Sequence, residues 1–219
     1  MIDHLFSCGP HGRLKATERR EQILHTAIRL FSQRGFSGTT TKQIAQAAGV
    51  SEAMVFRHFA TKDELYAAII HSKACIDGLT ILPWEQNENI LAAMKAKDDH
   101  RLFYEFGLES MTKHQSDADF IRLLLFSALE EHDISKYFFN EFAGKVYEFL
   151  SEYIRTRQED GDFKPVDPRI VVRILLGTWI HHSLNIILWD TDRKLLNISN
   201  EEAAKEFADV VLNGILIKK

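Results

Sequence analysis

Residues 40–59 read TTKQIAQAAGVSEAMVFRHF, and this stretch decides the fold. Thr40 or Thr41 is a good N-cap, and Ile44, Ala45 and Ala48 recur on one apolar helical face. Gly49 stands where a first helix must stop in a left-handed conformation. Ser51 then caps a second helix, in which Val55 and Phe59 share a face at i, i+4. Two short helices around a glycine turn, with alanines where they cross, form a helix-turn-helix pattern. Such a motif lays its second helix in the major groove of double-stranded DNA.

The rest of the chain is compatible with that reading. It has 219 residues, 45% of them hydrophobic, with only four prolines and eleven glycines, which favours a large, mostly helical fold. Cys8 and Cys75 have neither metal-ligand nor disulfide-framework spacing, so a reducing cytoplasm is the expected location. Leu5-Phe6-Ser7-Cys8 faintly resembles a lipoprotein cleavage box, but no apolar stretch precedes it, and a signal peptide is rejected. Net charge is −4 but unevenly spread. Residues 1–81 hold ten Lys/Arg against seven Asp/Glu, a net of +3, whereas residues 82–219 hold seventeen against twenty-four, a net of −7. One end is suited to phosphate and the other is not.

Periodicity divides the chain into helices throughout. Residues 1–16 lack a pattern and read as a flexible arm. The first helix is expected over 17–33, with Ile23, Ala27, Leu30 and Phe31 buried, and Gly35 ends it. Thr61 caps a fourth helix that is expected to run to about Leu79. Pro83 and the polar run from Glu85 to Asn89 mark a boundary. Further helices are expected over 88–114, 117–130, 134–159, 169–189 and 199–217, the last opened by a Ser199–Glu202 capping box. The segment 170–189 is long and apolar, but Arg173, His181, His182 and Asn185 argue for a core or subunit-interface helix and against a membrane span.

Residues 17–77 resemble the DNA-binding domain of the TetR family of bacterial transcriptional regulators. The matching stretches are RREQILHTAIRLFSQRGFSGTT, TKQIAQAAGVS and MVFRHFATKDEL, without gaps, over just over a quarter of the chain. The resemblance implies an all-α protein. A three-helix head is joined by helix 4 to a larger helical body (78–219) that binds a small effector. It also implies a homodimer formed through helices 169–189 and 199–217. The two heads would read a palindromic operator, and effector binding would release a repressor from it.

Residue roles follow from motif position. Thr40, Thr41 and Lys42 open helix 2, where free N–H groups and a lysine favour phosphate. Plain N-capping is the competing role for Thr40. Ser51, Glu52, Ala53 and Met54 begin the recognition helix. Glu52 can accept from cytosine N4, and Ala53 or Met54 can touch a thymine methyl. The competing role for Glu52 is a stabilising charge in the first helical turn. Phe56 departs from the tyrosine usual in the family and cannot donate to phosphate. Arg57 supplies charge, His58 matches a position that often reaches phosphate in the family, and Lys62 should also contact phosphate.

The body is rich in aromatics, most of them core. Phe106, Met111, Phe126, Trp179 and His182 are the candidate effector-pocket residues, suggesting an apolar or aromatic compound with a polar handle. No cofactor and no metal site is expected. Neighbouring His181 and His182 point about 100° apart on a helix, and His71 with Cys75 supplies only two ligands. An enzyme is the weakest alternative: nucleophile-elbow, zinc and phosphate-loop motifs are absent, and Glu105 with Glu109 lacks the further ligands of a helical-bundle metal site. A helical interaction protein without DNA binding is the stronger alternative.

Overall fold

A computed structural model describes residues 14–74 and 83–217. The described residues are helical throughout apart from turns and one isolated bridge, Phe163 with Leu216. The helices are α1 (Leu14–Arg34), α2 (Thr41–Ala47), α3 (Glu52–His58), α4 (Lys62–Ala74), α5 (Glu88–Ala96) and α6 (Asp99–Ser116). They continue with α7 (Ala118–Leu129), α8 (Asp133–Phe138), α9 (Gly144–Glu159), α10 (Pro168–Leu184) and α11 (Asn200–Ile215).

Three departures from the expected boundaries have local causes. Helix α1 begins at Leu14, so the end of the expected arm is helical. Leu14, Lys15 and Ala16 are all good helix formers. The expected 88–114 helix breaks in two, because Lys97 takes a left-handed conformation (φ 54°) and the Asp98 carboxylate accepts from Arg101 N at 3.0 Å to start α6. The expected 169–189 helix ends at Leu184 and continues as a single wide turn over Asn185–Trp189, where Asn185 Nδ2 donates to the His181 carbonyl at 2.8 Å. The rest of the arm, Cys8, Cys75 and the expected end of helix 4 near Leu79 lie outside the described residues.

The chain divides into two compact units, and the division differs from the boundary expected at residue 78. Among the described residues, the first unit holds 14–74 together with 119–142. The second holds 83–118 and 143–217. Segment 119–142, read from sequence as part of the body, joins the head because Phe120 and Leu123 of α7 pack into the same core as Ile23, Phe31, Leu65 and Tyr66. Tyr66 donates to the Leu123 carbonyl at 3.3 Å, and burial pushes its hydroxyl up to about 12.

The second unit is built on α6, which packs against α5, α10 and α11. Its aromatic core stacks Phe106 on Trp179 at 5.7 Å, with Trp84 and Phe149 alongside. Gly107 allows this, since a Cβ there would come within 2.6 Å of Trp179 Nε1. At one end the buried Arg157 guanidinium binds Asp99 (2.8 Å), Asp160 (2.7 Å) and Asp162 (2.9 Å), and Tyr153 donates to Asp99. The Asp99 carboxylate, ahead of Asp160, pushes the guanidinium further up, so it stays charged despite its burial.

Candidate nucleic-acid interface

Caps fix both ends of α2 and the start of α3. Thr40, rather than Thr41, is the N-cap of α2. Its hydroxyl accepts from Gln43 N (3.2 Å) while the Gln43 side chain accepts from Thr40 N (2.9 Å), a complete capping box. At the other end Val50 N donates to Ala45 O (3.0 Å) and Gly49 N to Gln46 O (3.2 Å), with Gly49 at φ 65°. This Schellman turn satisfies the last carbonyls of α2 and aims the chain into α3. Gln22 of α1 reaches across to the Ala48 carbonyl at 3.0 Å, pinning the turn to the first helix. Ser51 then caps α3, its hydroxyl accepting from Met54 N at 3.2 Å.

Burial divides α3 into two sides. Val55 and the C-cap Phe59 point into the core, while Ala53, Phe56 and Arg57 are exposed, Phe56 at 45%. Glu52 and Met54 are half-buried. The Thr41 hydroxyl donates to Glu52 Oε1 at 2.6 Å, tying the start of α2 to the start of α3 and leaving Oε2 for another donor. Lys42 is exposed on the first turn of α2.

A basic group continues the surface at the far end of α3. Burial first, then the charges of Arg57, Arg20 and Arg19, hold the His58 imidazole below its ordinary value. Arg20 lies over the Phe59 ring at 4.9 Å. From sequence, Arg19 and Arg20 read, with Arg13 and Lys15, as either a solvated charged end or a DNA-contacting arm at the start of the first helix. Nothing in the local pattern marked them as neighbours of His58.

Lys62 stands differently from a free surface cation. Its ammonium donates to the carbonyls of Phe36 (2.9 Å) and Thr39 (3.0 Å) and lies 3.9 Å from the centre of the Phe36 ring. Two of its three donors therefore hold the loop that leads into α2.

The effector candidates separate. Phe106, Met111, Trp179 and His182 are buried in the second unit, whereas Phe126 is half-buried in the first. Trp179 Nε1 and His182 Nε2 are buried and without a hydrogen-bond partner. Phe207 packs edge-on against His182 at 5.7 Å. A hollow of about 450 Å³ opens elsewhere in this unit, but its lining, including His100, Arg101, Glu105 and Lys205, is charged or polar and contains none of the five. Glu109 is taken up by Lys113 (2.6 Å) and the Asn87 amide.

A capped helix-turn-helix on a core shared by α1, α4 and α7, followed by a larger helical unit, defines the class of helical DNA-reading regulators. Residues 23–69 match the family described as "Bacterial regulatory proteins, tetR family". The chain is 26% identical over 187 residues to the uncharacterized HTH-type transcriptional regulator YerO of Bacillus subtilis, covering 84% of this chain and 60% of that protein. It is 31% identical over 158 residues to the HTH-type transcriptional regulatory protein RaaS of Mycobacterium tuberculosis, covering 72% and 66%. The matched part thus spans about 60% of YerO's length. In fold it is similar to NalD, the secondary repressor of the MexAB-OprM multidrug efflux pump in Pseudomonas aeruginosa. That likeness has a TM-score of 0.68 at 21% identity and covers 94% of this chain and 99% of that one. The head of the chain, residues 23–69, belongs to the TetR family.

Proposed function

We propose that the protein is a sequence-specific DNA-binding transcriptional regulator, a repressor that a small molecule releases from a palindromic operator. The observation that carries this is the two-sided α3. Its core side is closed by Val55 and Phe59, while Ala53, Phe56 and Arg57 stand in solvent and Glu52, at its start, is tied to Thr41 next to the exposed Lys42 at the capped N-terminus of α2. In this reading Glu52, Ala53 and Met54 face base edges, and Phe56 meets a sugar edge or thymine methyl. Thr40, Thr41, Lys42, Ser51, Arg57 and His58 meet the backbone. Lys62 enters as a brace of the loop before α2. The named relatives are regulators, not enzymes.

The dimer is proposed on α10 and α11. Ile170 (59% exposed), Ile174 and Ile180 of α10, with Val210 (70% exposed) of α11, are apolar groups left uncovered by the single chain. Residues 168–189 are long and apolar enough to cross a membrane, yet their inner side is core: Val172, Leu175 and Trp179 are fully buried. A second copy is the cover that fits a half-buried helix. Paired heads would then place two α3 helices about 34–36 Å apart, or a multiple of that. The effector is proposed as an apolar or aromatic compound bound by the second unit, where Phe106 and Trp179 stack and the Trp179 N–H and His182 Nε2 have no partner. It releases DNA only to the extent that it binds the DNA-incompetent state more tightly. Cytoplasmic location follows from a chromosomal target.

Selection of operators from random duplexes by the full-length protein, at two salt concentrations, tests the proposal. An enriched palindrome that survives the higher salt is expected. A confirmed dimer that enriches nothing would mean that bound effector or a damaged head blocks binding, and would favour a helical interaction protein without DNA binding.

A further inference from the structure

The loop between α1 and α2 is held from two sides by opposite charges, one of them supplied from far along the chain. Glu130 follows the last turn of α7, its amide bonded to Phe126 O at 2.9 Å. Its carboxylate accepts from Phe36 N (2.8 Å, Oε2) and Ser37 N (3.1 Å, Oε1), more than ninety residues earlier. Gly35 turns left-handed there (φ 70°), so two successive N–H groups converge in a concave backbone site for an anion. A Cβ at Gly35 would meet Glu130 Oε1 at 2.6 Å, so glycine serves both the turn and the close approach. His132, two residues on, packs edge-on against Phe36 (4.5 Å) and Tyr66 (4.9 Å) and lies 3.5 Å from Asp63.

On the other side Lys62 takes the carbonyls of Phe36 and Thr39, and the Thr39 hydroxyl bonds Gly35 O at 2.9 Å. The amides thus go to an acid from segment 119–142 and the carbonyls to a base of α4. The next residue, Thr40, is the N-cap of α2. We infer that Glu130 is a positioning residue for DNA binding: its carboxylate, seated in the backbone site at Phe36 and Ser37, sets the DNA-facing end of α2. The inference rests on the DNA-binding reading above. It makes that activity depend on a segment whose chain neighbours on both sides, residues 118 and 143, belong to the second unit. Displacing segment 119–142 would loosen the DNA-facing end of α2.

The test uses full-length Glu130→Ala and Glu130→Gln on the selected operator, with amide exchange of Phe36 and Ser37 measured in the free protein. Glu130→Ala is expected to lose about tenfold or more in affinity, as for lost hydrogen bonds to a charged group. Its salt slope should stay unchanged, since no phosphate contact is removed. Sodium acetate at constant ionic strength should restore part of the affinity and slow exchange at both amides in this variant, without strengthening binding by the unchanged protein. Glu130→Gln keeps one acceptor oxygen, so it should lose less and ignore acetate. If Glu130→Ala fails to fold, the glutamine variant carries the test through its exchange at Phe36 and Ser37 and its affinity. Unchanged affinity in the variants, a changed slope, or loss without acetate rescue and without faster exchange would overturn the inference. If the unchanged protein selects no operator, the DNA-binding reading has failed and the positioning role falls with it. The exchange arm would then decide only whether Glu130 seats in the loop.

Discussion

The seven-residue helices α2 and α3 and the sixteen-to-eighteen-residue helices of the second unit keep their shape by different means. Helices as short as α2 and α3 are marginal alone. They persist here through a capping box, a Schellman turn and a serine cap, adding Ile44, Ala45, Ala48 and Val55 to a core whose large rings, Phe31 and Tyr66, belong to α1 and α4. The long helices of the second unit instead carry large buried rings of their own, as Phe106 of α6 and Trp179 of α10, with Arg157 of α9 paired to Asp99 of α6. A DNA-reading surface needs side chains turned outward, so its helices have little apolar area to bury. Local backbone satisfaction takes the place of that area.

The second unit should suffer the largest single loss. Trp179→Ala should cost about 3–5 kcal/mol, as for a large aromatic removed from a close-packed core. Chemical denaturation followed by tryptophan-independent circular dichroism measures it. A loss below about 1 kcal/mol would show that this core is not what holds the unit together.

Acid provides the next largest effect. His114 is pushed down to about 4 by burial, with Nδ1 3.2 Å from Ser183 Oγ. The unfolded chain protonates near 6.5 and the folded one only near 4. Between those values the unfolded state binds more protons, so stability is full above pH 6.5 and falls as pH drops. The loss should reach up to about 3 kcal/mol. Denaturation midpoints from pH 7 to pH 4 should show this decline, and His114→Gln should flatten it. An equal decline in the variant would assign the acid sensitivity to other groups.

The head should respond to a backbone change with no packing consequence. At Gly49 a Cβ would meet nothing within 4 Å, yet the φ of 65° remains unfavourable for alanine. Gly49→Ala should therefore cost about 1–2 kcal/mol through the turn alone. It should also weaken operator binding, and melting combined with titration measures both. A neutral substitution would mean that the Schellman turn is not needed to aim α3.

The smallest expected effect concerns His58. Burial first, then neighbouring arginines, hold its imidazole below the ordinary value in the free protein. A phosphate beside it would raise its affinity for a proton, so operator binding should tighten by a few-fold as pH falls from 7.5 to 6. His58→Gln should remove that dependence. A pH profile identical in the variant would make His58 a packing residue only.

The helix-turn-helix was legible in the sequence because its determinants are near neighbours. Thr40, Gly49 and Ser51 act over three to five residues, and the alternation of Val55 and Phe59 with polar partners marks the buried side of α3. The same locality explains where the sequence reading stopped. Whether Thr40 or Thr41 caps α2 depends on which backbone reaches Gln43, and the break at Lys97 depends on one left-handed residue. The effector candidates chosen for aromatic character fell into both units, because hydrophobicity reports burial but not which core a ring joins.

An all-helical chain with a capped DNA-reading motif was written into the residue order, since helix periodicity and capping are read over a few residues. Only the tertiary structure decided that Glu130 and Lys62 clamp the loop before α2, that Arg19 and Arg20 come beside His58, and that segment 119–142 joins the head. Those contacts pair groups far apart in the chain. Their chemistry, a carboxylate with amides or an ammonium with carbonyls, is too common along any sequence to name its partner before the chain has folded.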